Sequence, residues 1–196
     1  MDALTYIFSH ICGQGRPFVL DGEALPVCQR CLGLYAGAAL TGVWLLASGL
    51  WRRALPERSV AYANIAMLLA AMAGGVHWVD AGPTWRLVCG LWTGHVAMLW
   101  LVGGAGHFLR LTGRKPFEDP PWPRGSPWRP LAAGPVLAIV AFAFTRFVST
   151  GWPVAAAILV AGAVFLTLAL LRAIIAVAWW AVSSFLLHAP EGRTDL

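Results

Sequence analysis

Apolar runs long enough to cross a bilayer recur along this chain, and they leave it few folds to choose from. A run of roughly 18 or more residues with few charges is the mark of a membrane-crossing helix. In hydrocarbon every backbone N–H and C=O has to be satisfied within the protein, which a helix does by itself. Five runs can be placed, at about residues 31–50, 60–78, 87–108 and 131–148 and from 154 onward. The sequence therefore predicts an all-α, polytopic membrane bundle of about five transmembrane helices held in the lipid bilayer. Of the 196 residues 59% are hydrophobic and only 12% charged, against about a quarter in a soluble domain, so no separate soluble domain is expected. Residues 1–11 lack the basic start and long apolar stretch of a cleavable signal. The expected layout is an N-terminal segment (1–30), a helical bundle (31–188) and a polar tail (189–196).

The last apolar stretch, which reaches residue 187, is too long for one ordinary span. As a single helix it would extend ~50 Å against a hydrocarbon core of ~30 Å. Arg172 interrupts it, so the span is expected to end near residue 171, with a continuation that protrudes or bends along the interface. Trp179 and Trp180 suit that position. A sixth span would need a reversal, and neither Gly nor Pro marks one.

Loop charge sets the expected orientation. Arg52, Arg53 and Arg58 lie between the first and second runs, and Arg110, Arg114, Lys115, Arg124 and Arg129 between the third and fourth. Simple alternation puts both loops on one side, and basic residues favour the cytoplasm. The N-terminus and the turn from Asp80 to Arg86 then lie outside an inner or cell membrane. The net charge of +5 follows from this topology, and no nucleic-acid partner is expected.

The chemistry-bearing residues gather on that outer face. His10 and Cys12 read H-x-C, and Cys28 and Cys31 read C-Q-R-C just ahead of the first run. A C-x-x-C spacing lets two sulfurs meet one metal or each other. Pro26 and the nearby helix start put Cys28 at unpaired N–H groups, which favour a thiolate, and Arg30 adds positive charge. Three readings stay open. His10, Cys12, Cys28 and Cys31 hold a metal, Zn²⁺ first with iron or copper behind it. Alternatively the thiols exchange electrons as a membrane thiol–disulfide oxidoreductase, pairing Cys28 with Cys31 and Cys12 with Cys89 and passing electrons to a quinone. Or the chain is a non-enzymatic subunit or transporter with a structural disulfide. Asp80 and Arg86 flank a tight turn and, with Arg30 and Cys89, could complete the site or bind an anionic group. His77 shares a face with Asp80. His95 lies deeper, on another side of its helix, and Arg146 ends the fourth run. Gly33-x-x-x-Gly37 and Gly90-x-x-x-Gly94 predict close packing of the first and third spans. No phosphate loop, zinc-protease or serine-hydrolase motif occurs, and no small-molecule or protein thiol partner is named by any pattern.

The stretch from Ile11-Cys12-Gly13-Gln14-Gly15-Arg16 to Pro26-Val27-Cys28-Gln29-Arg30-Cys31-Leu32-Gly33-Leu34-Tyr35-Ala36-Gly37 resembles the hallmark of a family of small bacterial and archaeal membrane proteins, domain-of-unknown-function family 2085. Asp80, Arg86, Gly90 and Gly94 are similar to a later element of that family. The resemblance covers roughly the first half of the chain. It implies an integral protein of a bacterial or archaeal membrane and no established activity. Gly13 stands where many members carry His, and His10 would substitute for it.

Overall fold

The computed structural model describes residues 6–8, 12, 19–20, 22–52, 62, 64–66, 68–69, 82–112 and 151–187. His10, His77, Asp80, Arg146, the fourth apolar run and most of the second lie outside these residues. The described residues form three long helices and a small hairpin.

Helix α1 spans Gln29–Ala47, 19 residues of mostly Leu, Ala and Gly. Cys28 precedes it with extended φ/ψ of −77° and 167°, as an N-cap residue does. Its far end is closed by Ser48, whose Oγ donates to the Trp44 carbonyl at 2.7 Å. Gly49 then takes a positive φ of 69°, and Leu50–Arg52 add one 3-10 turn. Helix α2, Pro83–Leu111, is 29 residues long. Its start is set by Gly82 at φ 98° followed by Pro83, whose missing N–H costs nothing at a first helical position. Helix α3, Gly151–Leu187, runs unbroken for 37 residues, with Pro153 tolerated in its first turn. All three are long and apolar enough to cross a membrane. The continuation expected after residue 171 is more of the same helix, so no reversal and no sixth span occurs within it.

One element was not anticipated. Strands β1 (Val19–Leu20) and β2 (Glu23–Ala24) pair antiparallel, Val19 opposite Ala24 and Leu20 opposite Glu23. Two residues in the sequence, Asp21-Gly22, separate them, and Gly22 takes φ 84°. Asp-Gly is a strong two-residue hairpin signal, and it departs from the all-α expectation by these few residues.

The helices touch backbone to backbone. A Cβ on Gly33 would overlap the Leu87 carbonyl, one on Gly37 the Leu91 carbonyl, one on Gly90 the Arg30 carbonyl and one on Gly94 the Leu34 carbonyl. Only glycine fits at these four positions, the close approach that small-residue repeats allow in membranes. The partners rise together in number, 30 with 90 and 34 with 94, so α1 and α2 run parallel. Helix α3 joins them in the same direction, Gly162 lying against the Tyr35 backbone and Phe165 over Gly42. One buried polar pair crosses the α1–α2 interface, Thr41 Oγ1 to His95 Nδ1 at 2.8 Å.

Two apolar clusters fill the bundle. One gathers Phe8, Leu25, Val27, Leu32, Tyr35, Ala155 and Leu159 around Cys12 and Cys28. The other, at the opposite end, joins Leu45, Leu50, Met98, Leu99, Val102 and Ala169.

Candidate metal centre

The first of those clusters contains the site. Cys28 and Cys31 come from the N-terminal end of α1, three residues apart and so on one side of the helix. Cys12 arrives from the leading segment, where its N–H donates to the Phe8 carbonyl at 3.0 Å in a helical turn. The hairpin carries the chain from there back to Pro26. Leu25 and Val27, each 1% exposed, pin its return against the bundle. The Cys28 N–H then donates to Cys12 Sγ at 3.1 Å.

The three sulfurs of Cys12, Cys28 and Cys31 all lie within 4.8 Å of one another. Around a tetrahedral Zn²⁺ with Zn–S of about 2.3 Å, neighbouring sulfurs sit ~3.8 Å apart. Closing the triad on an ion therefore takes shifts of ~1 Å at most, which side-chain rotation can supply. A Cys₃ group of this kind could hold a metal ion. No two of the four cysteines are joined as a disulfide.

The electrostatics favour a thiolate at Cys28. Cys28 is held down from its ordinary value near 9 to about 5. The neighbouring Cys31 thiol is the largest cause, working against burial, and the Cys31 amide, the Cys12 thiol and the Arg30 amide add to it. A thiolate is the form that binds metal and the form that attacks disulfides. The sulfurs are packed among apolar side chains, with Phe8 edge-on to Tyr35 at 5.2 Å between centroids. An ion here would be shielded from water on these sides.

The remaining candidates fall at different places. Arg30 is half-buried at the α1–α2 contact, its carbonyl against Gly90. Arg86 is half-buried in the first turn of α2, its N–H donating to the Gly82 carbonyl at 3.1 Å. Cys89 is buried one turn further on and is not among the three clustered sulfurs. His95 is buried against Thr41 at the helix interface. Asp80 and His10 lie outside the described residues. Sequence reasoning missed Thr41 as the partner of His95, and it missed that Arg172 reaches Trp51. Thr41 carried no signal of its own, because a lone Thr in an apolar helix usually bonds its own backbone.

Comparison with known proteins finds one family. Residues 12–100 match the model of a family described as Predicted membrane protein (DUF2085). Over these residues, rather less than half of the chain, the sequence is similar to that family. The match takes in Cys12, Cys28, Cys31, α1 and the first part of α2. No curated protein and no solved structure matches the chain.

Proposed function

We propose that this chain is a five-span membrane protein with a Zn²⁺ centre on its extracytoplasmic face, held by Cys12, Cys28, Cys31 and His10. The observation that carries this reading is the convergence of three sulfurs within 4.8 Å, from positions up to 19 residues apart. Thiolate and imidazole are the ligands of a closed structural zinc site, and iron or copper are the less suited occupants. His10 is the fourth ligand because it sits two residues before Cys12. Three thiolates, a neutral imidazole and Zn²⁺ sum to one negative charge, and Arg30 and Arg86 supply the compensating cations, with Asp80 orienting a ligand or an arginine. Cys89 is a reserve thiol one helical turn from Arg86. The ion fastens residues 1–30 across the mouth of the bundle.

The span count has its own support. Helices that run parallel through a membrane need a return crossing between each pair. Residues 60–78 and 131–148 are the apolar runs available for the two returns. With the basic loops in the cytoplasm of a bacterial or archaeal cell, the cysteines face outward.

A second reading is favoured by one observation. A C-x-x-C whose first cysteine caps a helix with its thiol near 5 is also the arrangement of a thiol–disulfide oxidoreductase. Its electrons would pass to a quinone in the membrane.

Elemental analysis of protein purified in mild detergent, with thiols counted before and after reduction, separates the two. About one zinc per chain, four titratable thiols after chelation without reductant, and loss of zinc in Cys28→Ser support the metal centre. Metal-free protein whose thiols appear only after reduction supports the oxidoreductase and overturns the first reading.

A further inference from the structure

We infer that Arg172 and Trp51 form a binding site for the phosphate of an anionic phospholipid, at the end of the bundle opposite the cysteines. Arg172 is the single charged residue in α3. Ala155 packs in the cysteine cluster. Arg172, 17 residues further on, is therefore about 26 Å along the axis, close to one hydrocarbon thickness. It stands where α1 ends, in the turn Leu50–Arg52. Its guanidinium donates to the Trp51 carbonyl and lies 5.7 Å from the centre of the Trp51 ring. A helix-end carbonyl and an aromatic face hold the group in place. They use only part of its five N–H donors and neutralise none of its charge. Among the described residues no carboxylate pairs with it.

A half-buried cation at a bilayer edge is costly until an anion joins it. A phosphodiester supplies that charge and two acceptor oxygens that match the guanidinium fork. The surroundings suit an amphiphile better than a free anion. Leu168, Leu171 and Ile175, on the turns either side of Arg172, are about half exposed and apolar, a surface for acyl chains. Exposed His107 and Arg110 close α2 at this end, and Trp179 and Trp180 follow two turns on, with Trp180 5.6 Å from Phe108. Cations and tryptophans of this kind mark headgroup depth. This site stands apart from the metal centre and does not depend on it.

The test uses the full chain in nanodiscs of phosphatidylcholine doped with phosphatidylglycerol. Lipid retained by the protein is counted by native mass spectrometry. Phosphatidylglycerol should be retained over phosphatidylcholine by roughly tenfold, and it should raise the melting midpoint. R172Q should bring the ratio near one, and R172K, a point charge without the fork, should fall between. Inorganic phosphate at matched concentration should shift nothing. An unchanged preference in R172Q overturns the site. A full effect from inorganic phosphate alone overturns the lipid as its ligand. Should R172Q not fold, R172K decides, and a preference equal to the parent's overturns the proposal.

Discussion

At one end of the bundle three thiols are packed among Phe8, Leu25, Val27 and Tyr35, while at the other an arginine leans on a tryptophan and a helix-end carbonyl. The ends are joined by the same three helices, yet they close in different ways. The cysteine end draws its parts from far along the chain: a helical turn ending at Cys12, a two-residue hairpin and the cap of α1. What brings them together among the described residues is the three sulfurs, a group that could hold a metal ion. The opposite end is made where helices already lie side by side, and single contacts suffice there. Under the proposed metal centre, order imposed by chemistry at one mouth contrasts with order imposed by packing at the other.

That contrast can be broken most severely at the thiols. Chelating the metal, or replacing Cys28 with Ser, should free residues 1–30 to proteases and lower the melting midpoint, while α1, α2 and α3 stay helical by circular dichroism. Loss of helix along with the N-terminal segment would mean the two ends are not independent. The packing half of the contrast is tested by Gly90→Leu, which drives a side chain into the Arg30 carbonyl. More than ~3 kcal/mol of destabilisation is expected in a denaturant titration in detergent, beyond ordinary overpacking because backbone cannot swing aside. Gly104→Ala, where a Cβ meets open space, should change little by the same measurement.

A smaller effect sharpens the chemistry of the cysteine end. Because the Cys28 thiol is depressed to about 5 from near 9, the folded, metal-free protein binds fewer protons than the unfolded chain between those values. Its contribution to stability is full above about 9 and fades as the pH falls toward about 5. Thiolate ultraviolet absorbance in reduced, metal-free protein should show one group titrating near the lower value; titration only near 9 would remove the thiolate from the account. Among the side-chain contacts, Thr41→Val leaves the buried His95 Nδ1 without its hydroxyl partner and should cost about 0.6–2 kcal/mol.

Much of the packing was legible in the sequence and much of the closure was not. Apolar run length fixes where helices lie, and α1 and α2 fall within a few residues of their expected bounds. The Gly33/Gly37 and Gly90/Gly94 repeats pointed to the α1–α2 contact because a missing Cβ has one strong use in a membrane. The hairpin before Pro26 went unread, although Asp21-Gly22 is a turn signal, because strands of two residues carry no alternation to detect. Spacing alone allowed Cys12 to meet Cys28 or Cys89. The choice is made by Leu25 and Val27, whose burial turns the leading segment onto the cap of α1. Arg172 stood out as a charge in an apolar stretch, but its partner, a backbone carbonyl 121 residues away, leaves no trace in composition.

The claim on which the account turns is that Cys12, Cys28 and Cys31 surround one ion. X-ray absorption at the zinc edge of the purified protein measures this directly. The expected first shell is three sulfurs at about 2.3 Å with one nitrogen at about 2.0–2.1 Å. A shell of nitrogen and oxygen alone, or protein that holds no metal while its thiols are reduced, would contradict it.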